Sequence, residues 1–244
     1  MNFILIGYRA SGKTSVGKSL SRLLGLPFYD TDALIRQQTG KTVREMVLDG
    51  GWPAFREAER AAIAGLAGQD ETVIALGGGA ILDPANVEAL KPGGFFIWLR
   101  SDKETIQERL KGDGSNAEQR PPLSILGNDN DEELLRQRIP LYEVIADLIV
   151  DTTGLSIEAV AEEIMAALRN WKETGSASSG IPAFRNVAGA HRPESSSPKS
   201  PPTPLCKGGQ GGFLENFFRR LRSCFLSRAT VLPGEKRCRE TRLG

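Results

Sequence analysis

The residues whose types and spacing most clearly indicate a chemical function lie near the start of the chain. There Gly7-Tyr-Arg-Ala-Ser-Gly12-Lys13-Thr14 follows an apolar run and precedes an amphipathic stretch. This spacing matches Gly-x4-Gly-Lys-Ser/Thr between a strand and a helix. In such a loop the backbone amides face phosphates, the lysine neutralises the β- and γ-oxygens, and the hydroxyl reaches Mg²⁺. The motif therefore predicts binding of ATP and Mg²⁺, with a chance glycine turn before a helix as the alternative.

A phosphate loop of this kind is typical of kinases, but it does not determine which molecule receives the phosphoryl group of ATP. Two pairs of charged residues could select that acceptor. Asp30 and Asp32 follow the second predicted strand, so in a parallel sheet both carboxylates would lie at the edge where ligands bind. Capping of a helix is the alternative for either aspartate. Arg56 and Glu59 lie nearly on one helix face, where an ordinary solvated surface would also explain them.

A glycine triplet and two arginines add to this set. Gly77, Gly78 and Gly79 end the third predicted strand, and three missing side chains would let a ligand approach the backbone closely. A plain turn is the alternative. Arg120 and Arg138 are candidate clamps for an anion, although each by itself could be a surface residue.

The elements that must position these residues alternate between short apolar runs and amphipathic helical patterns up to residue 171. That alternation predicts an α/β fold, in which helices cover both faces of a parallel sheet. The predicted strands, each buried on both faces, are residues 3–6, about 27–29, 72–76, 95–99 and 147–151.

Local signals also predict where helices begin and end. Two pairs have the spacing of a capping box, Thr42 with Glu45 and Ser101 with Glu104. Pro140 interrupts a helical stretch from about 131 to 146, which predicts a break or kink near Arg138. Residues 112–127 are polar and rich in Gly and Pro, and such a long irregular segment predicts a mobile functional loop.

The charge balance and the residue composition of the chain change after residue 171. Residues 1–171 hold 18 Lys and Arg against 25 Asp and Glu, whereas residues 172–244 have a net charge of +8 and are rich in Ser, Pro and Gly. The composition of the second part predicts a disordered basic tail. Residues 213–226 could form a basic amphipathic helix that contacts a membrane or an acidic partner, but an incidental pattern is the simpler interpretation.

Histidine and cysteine occur only in that tail, as His191, Cys206, Cys224 and Cys238. Catalysis by the first 171 residues must therefore use carboxylates, Lys, Arg, hydroxyls, backbone amides and a metal ion. No stretch is long and apolar enough for a membrane span or signal peptide, so the sequence predicts a cytoplasmic protein.

Together these positions resemble the shikimate kinase family over residues 1–171. The resemblance rests on six motifs in family order: the Gly-x4-Gly-Lys-Thr loop, Asp30-x-Asp32, Phe55-Arg-x-x-Glu59, Gly77–Gly79, Arg120-Pro121 and Arg138-x-x-Leu-Tyr-x-x-x-Ala146. Two departures are Ala10, where many relatives have glycine, and Pro122, which stiffens a segment that must move.

The resemblance implies a three-layer α/β P-loop kinase fold with a five-stranded parallel sheet and a mobile lid. It implies transfer of the γ-phosphoryl group of ATP to the 3-hydroxyl of shikimate, in aromatic amino-acid biosynthesis. The implied catalytic residues are Lys13, Asp32 and Arg120. The implied nucleotide-binding residues are Ala10, Ser11, Gly12, Lys13, Thr14, Ser15, Arg109 and Arg120. Shikimate would be held by Asp32, Arg56, Gly77, Gly78, Gly79 and Arg138, and Mg²⁺ by Thr14 and Asp30.

Two other functions fit parts of the pattern. A different small-molecule kinase, such as a gluconate kinase, would not explain the two aspartates together with Arg56, the glycine triplet and Arg138. A nucleotide-binding regulatory protein that lost transfer is opposed by the intact set of polar residues. Shikimate is the expected small-molecule partner of a monomeric protein, and neither nucleic acid nor a membrane is expected.

Overall fold

Five parallel strands form the centre of the computed structural model, which describes residues 1–112 and 131–175. The strands are β1 (Asn2–Ile6), β2 (Phe28–Asp30), β3 (Val73–Ala75), β4 (Gly94–Arg100) and β5 (Leu148–Asp151). They are ordered β2-β3-β1-β4-β5, and every neighbouring pair is parallel. The predicted five-stranded sheet is confirmed. Because the strand order reverses around β1, the loop that follows β1 lies where such sheets bind ligands.

Seven helices occur within the described residues. They are α1 (Lys13–Leu24), α2 (Thr31–Thr39), α3 (Val43–Ala67), α4 (Pro84–Leu90), α5 (Lys103–Gly112), α6 (Asp131–Ile145) and α7 (Ile157–Gly175), and a 3₁₀ turn spans Ala80–Leu82. In this part of the chain no helix combines the length and the apolar character that crossing a bilayer requires. Residues 113–130 and 176–244, which include Arg120 with most of the predicted lid and nearly all of the predicted tail, lie outside the described residues.

Apolar side chains cover both faces of the sheet. Alternate residues of β1, among them Phe3 and Leu5, belong to a core cluster with Val16 and Leu20 of α1 and with residues of α7. The intervening Ile4 and Ile6 are equally buried, with 0% and 1% exposure, on the opposite face. Burial on both faces explains the continuous apolar runs of the sequence and produces three layers.

The two predicted capping boxes have different outcomes. At Thr42 the box is present, since the Thr42 amide donates to Glu45 Oε2 at 2.7 Å and the Glu45 amide donates to Thr42 Oγ1 at 3.2 Å. The box predicted at Ser101 is wrong. Asp102 caps α5 instead, because its Oδ1 accepts a hydrogen bond from the Thr105 amide at 2.8 Å. The Ser101 hydroxyl lies 2.6 Å from the Thr152 hydroxyl. Asp102, one residue closer to the helix, provides the N-cap in place of Ser101.

The sequence predicted a break or a kink near Arg138. The break is wrong, because α6 runs without interruption through Pro140 to Ile145, and the kink stays a prediction. Pro140 is exposed, whereas the next two residues, Leu141 and Tyr142, are 1% and 0% exposed. Proline removes one backbone hydrogen bond from the helix. The packing of the two buried neighbours compensates for that loss and keeps Arg138 on a continuous helix.

Candidate active site

The loop between β1 and α1 has a backbone that its glycines make possible. Gly7 has φ +147°, and a Cβ there would lie 2.7 Å from the carbonyl oxygen of Leu99. Gly12 has φ +91° and precedes the first residue of α1, whose N-terminus is capped by no side chain of the described residues. The first-turn amides of α1 therefore remain available to an anion, as phosphate binding requires.

Ala10 also has a positive φ, +58°, which is a left-handed conformation. This conformation costs an L-residue about 1 kcal/mol, a cost that glycine avoids. The backbone angle thus supplies the physical reason for the glycine expected at this position. Alanine, with the smallest side chain, still adopts the required loop.

Lys13 is the first residue of α1, and its side chain turns back into the loop. The ammonium donates to the carbonyl oxygens of Gly7 at 2.9 Å and Tyr8 at 2.7 Å, and more weakly to Ser11 Oγ at 3.4 Å. The residue is only 8% exposed. These contacts hold a buried positive charge within the curve of the loop, where it would attract phosphate oxygens.

A cavity of about 710 Å³ opens over this loop and is large enough for a small-molecule ligand. The cavity is lined by residues of the loop together with Arg109, Leu155 and Ile157. The Arg109 guanidinium donates to the Thr152 carbonyl oxygen at 3.0 Å, and to the Ala10 carbonyl oxygen at 3.5 Å. Arg109 is thereby fixed beside the phosphate loop by two backbone contacts.

Asp30 is the last residue of β2, and its carboxylate forms hydrogen bonds with the first residues of α2 and with Thr14 of α1. Its Oδ1 accepts the amides of Asp32 and Ala33 at 3.0 and 3.2 Å, so it caps α2, and its Oδ2 accepts the Thr14 hydroxyl at 2.6 Å. Capping of α2 by Asp30 is confirmed, and its second oxygen is placed beside Thr14. Hydroxyl and carboxylate oxygens are ligands that Mg²⁺ prefers, and it commonly takes one or two of them from protein. The pair fits that ion.

A second pocket faces the same edge of the sheet. Arg56 pairs there with Glu59 one turn later on α3, and its guanidinium carbon lies 5.5 and 5.3 Å from the ring centres of Trp52 and Phe55. Glu59 is 1% exposed, and burial raises the pKa of its carboxyl although the arginine opposes this. The pocket is lined by Arg9, Asp32, Val43, Trp52, Phe55, Arg56, Glu59, Gly77, Gly78, Gly79 and Arg138.

Each glycine of the triplet leaves space for a different group around this pocket. A Cβ on Gly77 would lie 2.8 Å from Asp32 Oδ1 and 2.9 Å from Glu59 Oε1, and one on Gly79 would lie 2.4 Å from Arg56 Nη2. A Cβ on Gly78 would lie 3.3 Å from the backbone nitrogen of Arg9. The triplet therefore lets charged side chains and the phosphate loop pack closely against the backbone, and is more than a turn.

Arg138 reaches the pocket from α6. It donates to the Gly78 carbonyl oxygen at 3.2 Å, and Tyr142, one turn later, donates its hydroxyl to the same oxygen at 2.9 Å. Tyr142 is fully buried, stacks on Trp98 with 5.5 Å between ring centres, and burial raises the pKa of its phenol well above the ordinary value. The phenol is thus a permanently protonated donor that fixes the triplet to α6.

The structure brings together the predicted residues that it describes. Asp32 lines both the cavity over the phosphate loop and the second pocket, so it lies where the two meet. Residues that the sequence did not assign to a site also contribute to these cavities: Arg9 and Trp52 to the pocket, and Thr152, Leu155 and Ile157 to the cavity. Arg9 lies within the phosphate-loop motif, whereas the others carry no local signal.

A phosphate loop beside a separate pocket rich in arginine places the chain among the P-loop kinases of small molecules. The family model for shikimate kinase matches residues 9–169. The chain belongs to the shikimate kinase family.

Individual relatives agree with this assignment. The shikimate kinase of Syntrophus aciditrophicus is 46% identical over 175 residues, which cover 67% of this chain and 89% of the relative. That of Moorella thermoacetica is 41% identical over 173 residues, covering 71% and 97%. The solved structure of shikimate kinase from Acinetobacter baumannii in complex with shikimate is 31% identical, with a TM-score of 0.63 over 70% of this chain and 94% of that chain.

Proposed function

We propose that the protein transfers the γ-phosphoryl group of ATP to the 3-hydroxyl of shikimate, giving shikimate 3-phosphate and ADP in aromatic amino-acid biosynthesis. The observation that carries this proposal is the second pocket, where Asp32, Arg56, the glycine triplet and Arg138 meet beside the phosphate loop. Membership of the shikimate kinase family and the similarity to a relative solved with shikimate support it.

Shikimate carries one carboxylate and several hydroxyls, which match the charges of the pocket. Arg56 and Arg138 bind the carboxylate, since planar guanidinium groups suit this anion. Asp32 accepts a hydrogen bond from the attacking hydroxyl and orients or deprotonates it, because its carboxylate lies where the two cavities meet. The Gly77 amide donates to Thr31 Oγ1 at 2.8 Å, so the prediction that this amide binds shikimate is wrong. Gly77 still lines the pocket, and the amides of Gly78 and Gly79 complete the acceptor site.

On the nucleotide side, the amides of residues 10–15 and the Lys13 ammonium bind the phosphates. Thr14 and Asp30 hold Mg²⁺, which when bound neutralises charge on the β- and γ-phosphates. Arg109 lies against adenine in the cavity that Leu155 and Ile157 also line. Arg120, outside the described residues, is proposed to reach the transferring phosphoryl group and to exclude water.

The catalytic unit is proposed to comprise residues 1–171, since the matched family region ends at 169 and every described site residue precedes 161. The described part of α7 continues four residues past that boundary, to Gly175. Residues 172–244 are proposed to contribute nothing to the site. We propose a cytoplasmic monomer that acts on shikimate and needs neither nucleic acid nor a membrane.

The central test measures ADP release by the purified full chain with ATP and Mg²⁺, using shikimate, gluconate or no acceptor. We expect release that depends on shikimate, with formation of shikimate 3-phosphate confirmed by mass spectrometry. Gluconate should give only the rate seen without acceptor, because it lacks the shape that the pocket encloses. Equal rates in all three reactions would contradict the proposal.

Alanine at Gly79 tests the link between the triplet and the acceptor. Its methyl group would collide with the Arg56 guanidinium and displace it. Loss of a charged hydrogen bond costs about 1.5–3 kcal/mol, so we expect the KM for shikimate to rise about tenfold or more while the KM for ATP is unchanged. Gly93→Ala is the matched control, since nothing lies within 4 Å of its Cβ position. An unchanged KM for shikimate in Gly79→Ala would oppose the assignment of Arg56.

Arg138→Ala tests the second arginine of the acceptor site. We expect it to raise the KM for shikimate by about ten- to a hundredfold, with a smaller change in kcat and none in the KM for ATP. Arg136→Ala serves as control, because the Arg136 side chain is 77% exposed on the same helix, where it pairs with Glu133. Normal affinity for shikimate in Arg138→Ala would refute this role.

A further inference from the structure

The phosphate loop carries an arginine, Arg9, that none of the roles above uses. Arg9 belongs to the loop, yet it is also among the residues that line the second pocket, the proposed acceptor pocket, together with Asp32, Arg56 and Arg138. The close approach of its backbone nitrogen to the Cβ position of Gly78, at 3.3 Å, shows that loop and triplet pack directly against each other. Arg9 therefore lies where the phosphate loop meets the acceptor pocket.

Arg9 and Arg138 are held beside the same aromatic ring. Their guanidinium carbons lie 6.0 and 5.4 Å from the ring centre of Tyr8, within the range of cation–π attraction. Tyr8 is 2% exposed and thus forms a fixed platform. Two residues from distant parts of the chain, one in the phosphate loop and one on α6, are in this way directed to one region of the pocket.

The charges around the pocket favour a bound anion. Three arginines, Arg9, Arg56 and Arg138, face two carboxylates, Asp32 and Glu59, and Arg56 is already paired with Glu59. One positive charge is left over, and like charges that converge on one partly buried pocket repel each other. A ligand with a single negative charge would remove this imbalance, and shikimate is such a ligand.

We propose that Arg9 is a third arginine of the acceptor site and that it binds the carboxylate of shikimate together with Arg138. This inference rests on the proposed function, because it needs shikimate as the acceptor. It assigns Arg9 to specificity for an anionic acceptor, although the residue belongs to the loop that binds phosphates. Arg56, which is paired with Glu59, is the other arginine proposed to contact this carboxylate.

The test compares the wild type with Arg9→Gln, Arg9→Lys and a control, Arg22→Gln, which removes an exposed arginine from the end of α1. Steady-state kinetics give kcat and the KM values for shikimate and ATP, and calorimetry gives the Kd for shikimate without turnover. The same measurements are made with the methyl ester of shikimate, which lacks the negative charge. An unchanged KM for ATP verifies that the loop has kept its shape.

We expect Arg9→Gln to weaken shikimate binding by about ten- to a hundredfold, with kcat changed less than about threefold. Its preference for shikimate over the methyl ester should fall by a similar factor, since the lost contact is made only by the carboxylate. Arg9→Lys should recover part of the affinity because it keeps the charge but loses the fork of donors. Arg22→Gln should match the wild type.

Three results would overturn the inference. They are wild-type affinity for shikimate in Arg9→Gln, an unchanged preference for the acid over its ester, and a fall in kcat with unchanged acceptor binding, which would instead assign Arg9 to the transferring phosphoryl group. Each is measured against a wild-type protein that phosphorylates shikimate. An inactive wild type would instead contradict the proposed function, so the two failures are distinguishable.

Discussion

Replacing Lys13 by alanine is expected to lower kcat by about a thousandfold or more, with shikimate binding retained. The ammonium lies inside the curve of the phosphate loop, held by the carbonyl oxygens of Gly7 and Tyr8. Phosphoryl transfer depends on positioning and on neutralising charge at the phosphates, and loss of one such preorganised donor commonly costs about 10²–10³ in kcat. Lys13 also orders the loop itself, which explains the larger effect expected here.

Lys18→Ala is the matched control for this experiment, because Lys18 is an exposed lysine on the same helix. Calorimetry with shikimate and a thermal melt show whether Lys13→Ala is folded, since the acceptor pocket is formed mainly by other elements. A folded Lys13→Ala protein with kcat within tenfold of the wild type would contradict the assignment. Retained shikimate binding with lost turnover would separate a catalytic role from a structural one.

Asp32→Asn is expected to give the second large effect, a fall in kcat of about 10²–10⁴ with little change in the KM for ATP. Asparagine keeps the size of the side chain but removes the negative charge that would accept the proton of the attacking hydroxyl. The start of α2 should survive, because its cap is provided by Asp30 and uses only the backbone amide of Asp32.

Glu57→Gln controls for the loss of a carboxylate, since Glu57 is exposed on α3 next to Arg56. Wild-type turnover in that variant, beside a strong loss in Asp32→Asn, would support the role of Asp32 at the meeting point of the two cavities. If Asp32→Asn keeps kcat and alters only the KM for shikimate, the carboxylate orients the acceptor and another group receives the proton. Unchanged kinetics would remove Asp32 from the site.

Features that depend on neighbouring residues could be predicted from the sequence. The eight residues from Gly7 to Thr14 specify a loop whose geometry requires glycine at its ends, and the structure has that geometry. The capping box at Thr42 and the five strands could be predicted for the same reason, because each depends on residues that are close together in the sequence. The shikimate kinase family was also identified in this way, from short motifs in order.

Errors arose where a local signal competed with packing. Pro140 predicts a break, but the buried Leu141 and Tyr142 keep α6 continuous. Ser101 has the correct spacing for a cap, but its hydroxyl contacts Thr152 after β5 instead. In both cases a contact with residues distant in sequence outweighs a preference worth about 1–3 kcal/mol.

The sequence by itself determined the phosphate loop, the order of strands and helices, and the residue types available for catalysis. Only the tertiary structure decided that Gly77 packs beside Asp32, that Gly79 packs beside Arg56, and that Arg9 of the phosphate loop lines the same pocket as Arg56 and Arg138. The reason is physical. Local spacing fixes backbone conformation, whereas the direction of a side chain in a loop depends on which distant elements pack against it.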